Sequence, residues 1–422
     1  MTITLSGKSN VHAVVSVAGD KSISHRAIML GAIADGVTEI DGFLPSQDCL
    51  STISCFQKLG VTIERAGDRV RVFGNGLRGL QKPAGFLDVG NSGTTMRLMT
   101  GILAGQNFDC AITGDASIQK RPMERVFAPL RQMGARFSNN STAPFTIYGS
   151  TLRGIEYTLP VASAQVKSAI LLAGLYAEGV TTVVESVATR NHTELMLNMF
   201  GGKICKREQY STCAPVSKLI AQKVSIPSDI SSAAFFIVAG LLIPDSEITI
   251  ERVGVNHTRT GILDSLAQMG ADISINNRCQ IGGEPVADIT ARASRLRGIS
   301  LGPDIIPRMI DEAPVFAVAA VAAQGQTIIT GAQELKYKES NRIGAMAAGL
   351  AKMGANIVET DDGMIINGGA PLRGATVMSH NDHRVAMSIA VAASIASGRT
   401  RINDADCVDI SFPGFFELWR KL

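Results

Sequence analysis

Charge is scarce in this 422-residue chain: charged residues make up 18%, and the 40 Lys and Arg nearly cancel the 37 Asp and Glu to leave a formal net charge of +3. So even a balance gives no footprint for nucleic acid or an anionic membrane, although it permits a local cationic pocket for a small anion. Long apolar runs are also missing. The stretch Ala233 to Ile243 falls well short of the roughly 18–20 residues that a membrane span needs. The N-terminus Met1-Thr-Ile-Thr-Leu-Ser-Gly-Lys-Ser-Asn10 has no charged start followed by an apolar stretch, so no signal peptide is expected. The seven cysteines are odd in number and form no Cys-x-x-Cys motif, which suits reduced thiols and a cytoplasmic location. The six histidines contain no His-x-x-x-His pair, so no zinc site is expected.

What the chain does have is apolar material, 45% of its residues, which excludes a disordered protein. Its length points to two domains. Internal repetition then sets the architecture. A polar start followed by a small-residue apolar helix pattern occurs at Asp20–Ala32, Asn91–Gly101, Ser163–Gly174, Asp229–Gly240, Asp311–Ala323 and Asn381–Ala393. After each of the first five comes a helix end running through glycine into β-branched or apolar residues: Leu59-Gly-Val-Thr-Ile, Met133-Gly-Ala-Arg-Phe, Phe200-Gly-Gly-Lys-Ile, Met269-Gly-Ala-Asp-Ile and Met353-Gly-Ala-Asn-Ile. Glycine supplies the left-handed turn that ends a helix, and the residues beyond it begin a strand.

The pattern predicts six strand–helix–strand–helix–strand units in an α/β (α+β) fold. The last helix, Phe415 to Leu422, ends the chain with no strand after it, and the segment Ile3 to Val17 precedes the first helix. We therefore expect the N-terminal segment to complete the last unit. The expected domains are 1–18 with 228–422, and 19–227, with crossovers near Gly19 and Pro227 and three units in each. The small-residue helices should be buried on all sides, and their first residues should converge on a cleft between the domains. Helix N-termini carry unpaired N–H groups and partial positive charge, so the cleft should take an anion.

Four charged constellations lie at these positions. Asp20-Lys21-Ser22 is followed one turn on by Arg26. Lys120-Arg121-Pro122 follows a glycine-containing loop. In Lys338-Glu-Ser-Asn-Arg342, Lys338 and Arg342 are four apart, as on one helical face. Asn381-Asp-His-Arg384 opens the sixth helix. Single charge runs are usually solvated faces, but recurrence at equivalent repeat positions argues for a site. Arginines grouped in this way suit carboxylate and phosphate. Ser163 and Gln165 add neutral donors, and Asp311 and Glu339 are the carboxylates best placed for proton transfer.

Taken in order, Gly19-Asp-Lys-Ser, Gly90-Asn-Ser-Gly-Thr, Arg121-Pro-Met, Ser163-Ala-Gln, Lys338-Glu-Ser-Asn-Arg and Asn381-Asp-His-Arg resemble the 5-enolpyruvylshikimate-3-phosphate (EPSP) synthase family. The likeness runs from about Gly19 to Pro413. It implies two similar domains, each of three βαβαββ units around buried helices. It also implies transfer of the enolpyruvyl group of phosphoenolpyruvate to the 5-hydroxyl of shikimate 3-phosphate, on the way to chorismate and aromatic amino acids, without metal or cofactor. By the same resemblance, shikimate 3-phosphate is held by Lys21, Ser22, Arg26, Ser163, Gln165, Asp311 and Lys338. Phosphoenolpyruvate is held by Lys21, Gly93, Arg121, Gln165, Arg342 and Arg384. Asp311 accepts the proton of the 5-hydroxyl, and Glu339 with Lys21 protonates the methylene carbon. A monomer is expected, since each domain is complete once the N-terminal segment docks.

Some relatives carry a lysine shortly before the final Ser/Thr-Phe-Pro; here the segment is Val408-Asp-Ile410-Ser-Phe-Pro, and that contact is absent or replaced. Arg190-Asn-His-Thr-Glu, Ser163-Ala-Gln-Val-Lys and Asn256-His-Thr-Arg resemble the family's second sequence class, whose members often tolerate glyphosate. Gly93 keeps the small residue of sensitive enzymes, so partial tolerance is expected. Rival functions fit less well. The UDP-N-acetylglucosamine enolpyruvyl transferases typically have Lys-Asn in place of Lys21-Ser22 and a cysteine in the loop before Arg121, where this chain reads Gly114-Asp-Ala-Ser-Ile-Gln-Lys-Arg. RNA 3′-phosphate cyclases would need a nucleotidylated histidine. Gly74-Asn-Gly-Leu-Arg-Gly79 matches the dinucleotide pattern but is followed by Leu-Gln-Lys-Pro and not by a helix. A non-catalytic anion-binding relative would not need the acids, bases and cations that this chain keeps.

Overall fold

The computed structural model describes residues 1–138 and 141–422. The six small-residue patterns form helices α1 (Lys21–Ala32), α2 (Gly93–Ala104), α3 (Ala164–Gly174), α4 (Ile230–Leu242), α5 (Ala313–Ala322) and α6 (His383–Ser394). Each is buried along most of its length, and α6 along all of it. A helix apolar all round is stable only where it is packed on every side, and small residues permit that packing. At Gly101 of α2 a Cβ would stand 2.2 Å from the carbonyl oxygen of Ala169 in α3, so only glycine allows the two backbones this close.

Side-chain oxygens at the helix starts bind the exposed backbone N–H groups. Asp20, Ser92, Ser163, Asp229 and Asp382 accept from Ile23, Thr95, Val166, Ser231 and Arg384. Two caps lie one residue later than the polar starts Asn91 and Asn381 suggested. The same turn precedes both: Ser92 N–H bonds the Val89 carbonyl and Asp382 N–H bonds that of Ser379. Asp311 is not a helix start either. Helix α5 begins two residues after it, with Glu312 at the cap and no side-chain cap bond. At the five helix ends Gly60, Gly134, Gly201, Gly270 and Gly354 have φ between +85° and +102°, the left-handed turn that glycine adopts without a Cβ clash.

Among the described residues the strands form six sheets, five sharing one four-stranded plan and the sixth with three strands. Leu87–Asp88 leads into α2, and Cys110–Thr113 returns parallel to it; the helix Glu124–Gln132 then leads to Arg136–Phe137 and Phe145–Tyr148, which add antiparallel. The chain divides into two compact units. One contains Met1–Ala18, Pro227–Gln280 and Pro285–Leu422; the other contains Gly19–Ile226 and Ile281–Glu284.

The strands that precede α1 and α4 are exchanged. His12–Val15, before α1, lies parallel to Glu247–Gly254, which follows α4; Lys223–Ser225, before α4, lies parallel to Asp35–Asp41, which follows α1. The N-terminal segment therefore does not act as one strand. Ile3–Ser6 pairs antiparallel with Arg399–Asn403 and closes the sixth sheet, while His12–Val15 belongs to the fourth. Gly7-Lys-Ser-Asn10 separates them, and Asn10 takes a left-handed φ of 54°, a turn conformation to which asparagine is suited. In the unit with both termini, Phe415 and Trp419 of the last helix (Phe415–Lys421) pack on Phe236 of α4. Ile410 packs against this apolar core.

Candidate active site

The unit of α1 to α3 places its cations at helix N-termini. Lys21, the first residue of α1, pairs with Asp48 at 2.8 Å. One turn on, Arg26 is buried and donates to Thr193 Oγ1 (2.7 Å), Ser168 Oγ (2.9 Å) and the Ser22 carbonyl (2.9 Å). All three acceptors are neutral, so none of these hydrogen bonds sets a carboxylate against the guanidinium charge. Burial and the charge of nearby Arg190 push its pKa down to about 10, against the opposing pull of Glu194 and Asp20. It is still protonated at neutral pH, and a site that gathers positive charge in this way favours an anion.

At the start of α2 two further guanidiniums flank Gly93. Arg97 donates to Gln165 Oε1 (2.7 Å), whose amide nitrogen donates to Thr94 Oγ1 (3.1 Å). Arg121 donates to Asn91 Oδ1 (2.9 Å), while its Nε is buried with no hydrogen-bond partner among the described residues. A Cβ on Gly93 would stand 3.0 Å from Arg97 Nη1 and 3.1 Å from Arg121 Nη1. The glycine thus leaves two cations and a helix N-terminus facing one small space, an arrangement suited to carboxylate or phosphate.

The other unit gathers its charges around α6. Arg342 is 2% exposed and meets three carboxylates: Asp382 at 2.9 Å, Asp311 at 3.3 Å, and Glu339. Burial works against the guanidinium charge, but the three carboxylates outweigh it and raise its pKa. Burial likewise works to raise the pKa of Asp382, and Arg342 overcomes it and holds the carboxyl below its usual range. Arg384 stands 3.7 Å from the Asp311 carboxylate and donates to the Asp311 carbonyl at 3.1 Å. Two arginines and three carboxylates are thus concentrated here, Asp311 among them with both arginines beside it, and on Asp311 a hydroxyl proton could be taken up.

The EPSP synthase family model matches residues 5–419. The chain belongs to the EPSP synthase family. It is similar to a 3-phosphoshikimate 1-carboxyvinyltransferase of Thermoanaerobacter sp. strain X514, 54% identical with all of both chains covered. It is also similar to one of Bacillus thuringiensis subsp. konkukian, 55% identical over 97% of this chain and 96% of the other. The solved EPSP synthase of Acinetobacter baumannii superposes with a TM-score of 0.90 at 46% identity, covering 100% of this chain and 97% of the other. The two-unit fold of repeated sheets around buried helices is that of this family's structures.

Within the family's motifs, the structure groups Gly93, Arg121 and Gln165, and separately Asp311, Glu339, Arg342 and Arg384. Ser163 caps α3 at 3.4 Å, so its oxygen already accepts a backbone N–H. Lys338 and Arg342 do not share a helical face. Lys338 ends the short turn Gln333–Tyr337 with ψ at −149°, and Arg342 opens a new helix, Arg342–Lys352. Asn341 interrupts the helical run by capping that new helix.

Arg97, Asp48, Thr193 and Ser168 were not singled out as site residues from the sequence, and Asp382 only as part of the Asn381-Asp-His-Arg384 constellation. Arg97 was within reach, since it lies four residues after Gly93 and therefore on the same helical face. The others depend on contacts between segments far apart in the chain.

Proposed function

We propose that both groups of charges act on one pair of substrates, in the reaction of the family: enolpyruvyl transfer from phosphoenolpyruvate to the 5-hydroxyl of shikimate 3-phosphate. The observation that carries this assignment is the pair Arg97 and Arg121 either side of Gly93, with a buried N–H of Arg121 that has no hydrogen-bond partner among the described residues. That cradle suits phosphoenolpyruvate, together with Lys21, Gln165, Arg342 and Arg384. Arg342 uses three N–H donors on its carboxylates, which leaves two of a guanidinium's five for a ligand. Arg26, with neutral partners only, suits shikimate 3-phosphate, together with Lys21, Ser22, Ser163, Gln165, Asp311 and Lys338.

In the proposed sequence, Asp311 takes the proton of the 5-hydroxyl as its oxygen bonds to C2 of phosphoenolpyruvate. Glu339, with Lys21, delivers a proton to C3, giving a tetrahedral ketal. Loss of that C3 proton and cleavage of the C2–O bond to phosphate then restore the double bond and release inorganic phosphate. The cations stabilise charge as it shifts between these oxygens. We also propose that the protein works as a cytoplasmic monomer. No helix among the described residues is long and apolar enough to cross a membrane.

The division of ligands has a direct kinetic test. Arg26→Met should raise KM for shikimate 3-phosphate at least about tenfold with a smaller change for phosphoenolpyruvate, and Arg121→Met should do the reverse. Equal effects of each variant on both substrates would contradict the division.

A further inference from the structure

Beside Arg26 lies a buried ion cluster to which none of the steps above assigns a part. Lys167, on α3 next to Ser168, is 0% exposed and pairs with Glu194 at 2.7 Å and Glu185 at 2.9 Å. It also donates to the Thr189 carbonyl at 3.4 Å. Lys206 shares Glu185 Oε2 at 2.9 Å. Burial works to raise the pKa of Glu185, but Lys167, Thr189 and Lys206 together lower it, so the cluster holds two cations and two carboxylates. Buried ion pairs of this kind add little stability over apolar residues of similar size, so their presence calls for another reason.

Their neighbours in the chain supply one. Lys167 adjoins Ser168, and Glu194 adjoins Thr193; these two hydroxyls are 2.7 Å apart and both accept from Arg26. Glu194 is also the carboxylate with the largest electrostatic effect on Arg26. Yet its Oε1 is turned to Lys167 and Ser211, and its Oε2 is buried with no hydrogen-bond partner among the described residues. Without Lys167, Arg26 would be a ready counter-ion for that carboxylate. An arginine already neutralised in this way binds an incoming anion less well.

We propose that Lys167 is a positioning residue that holds Glu194 away from Arg26, keeping this guanidinium for the anionic group of the substrate. It acts through Glu194 and does not touch the substrate. The inference rests on the assignment of Arg26 to shikimate 3-phosphate.

The test compares Lys167→Met, alone and combined with Glu194→Gln, in steady-state kinetics on the full chain, with thermal unfolding as the check of folding. Lys167→Met should raise KM for shikimate 3-phosphate at least about tenfold, with kcat and KM for phosphoenolpyruvate within about threefold of wild type. Adding Glu194→Gln removes the competing charge and should bring KM back to within about threefold of wild type. A merely structural lysine would not give this rescue. A fall in kcat at unchanged KM, or a double variant whose KM stays raised, would overturn the proposal. If Lys167→Met does not fold, the double variant decides, since Glu185 keeps Lys206 as its partner: a near-wild-type KM supports the proposal and a tenfold rise overturns it. Wild-type protein in the same assay separates the two levels. No turnover with shikimate 3-phosphate would overturn the substrate reading and this proposal together, whereas normal turnover with unaltered KM in Lys167→Met would overturn this proposal alone.

Discussion

Asp311→Asn is expected to lower kcat at least about a hundredfold, the usual range for removing a general base. Asparagine keeps the shape of the side chain but cannot take up the hydroxyl proton. The carboxylate lies 3.3 Å from Arg342 and 3.7 Å from Arg384, so some loss of stability accompanies the substitution. It should be modest, because Arg342 keeps Asp382 and Glu339 as partners. A large kcat effect with a small shift in unfolding temperature would mark a chemical role. Unchanged turnover would place the base elsewhere.

Arg342→Met should be the most destabilising single change in the same cluster. It removes the counter-ion of Asp382, which is 0% exposed, and one partner each of Asp311 and Glu339. Breaking a buried pair from one side costs about 3–5 kcal/mol, because it leaves an uncompensated charge behind.

The effect of pH gives a second check. Asp382 is held below its usual pKa by Arg342 in the wild type. The stability from this pair is therefore present above the unfolded-state value of about 4 and is lost as pH falls through the lower folded value. In the variant, burial and the charge of Glu339 outweigh the smaller effect of His383 and raise the pKa of Asp382, so the folded variant takes up a proton more readily than the unfolded chain. Its deficit against wild type should shrink on going from about pH 7 to about pH 5. Urea unfolding at the two pH values measures this. A deficit below about 1 kcal/mol at neutral pH would mean that Arg384 can replace Arg342 as counter-ion.

The features legible in the sequence were those set by local rules. Small-residue periodicity marked α1 to α6, and the glycines at five further helix ends, Gly60, Gly134, Gly201, Gly270 and Gly354, marked where strands begin. The recurrence of polar residues at helix starts pointed to Lys21 and Arg384, whereas Arg121 follows the short turn Ile118–Lys120 and stood out only by its charge after a glycine-containing loop. What escaped the reading depends on pairing across long separations. Nothing in the composition of His12–Val15 or Lys223–Ser225 says that these strands are exchanged, because each would suit either parallel neighbour. The caps at Ser92 and Asp382 were displaced by one residue because Asn91 and Asn381 are also good cap residues, and the turn from Val89 or Ser379 decides between them. Lys338 and Arg342 kept helical spacing in the sequence, but Asn341 starts a new helix between them. Lys167 and Glu194 stood in two separate motifs, Ser163-Ala-Gln-Val-Lys and Arg190-Asn-His-Thr-Glu, and only the folded chain makes them a pair.

Phosphate release shows which acceptor receives the enolpyruvyl group. Purified protein is supplied with phosphoenolpyruvate and either shikimate 3-phosphate or UDP-N-acetylglucosamine. Release with shikimate 3-phosphate alone is the predicted result. Release with the sugar nucleotide in its place, or no release with either acceptor, would overturn the assignment of shikimate 3-phosphate as acceptor.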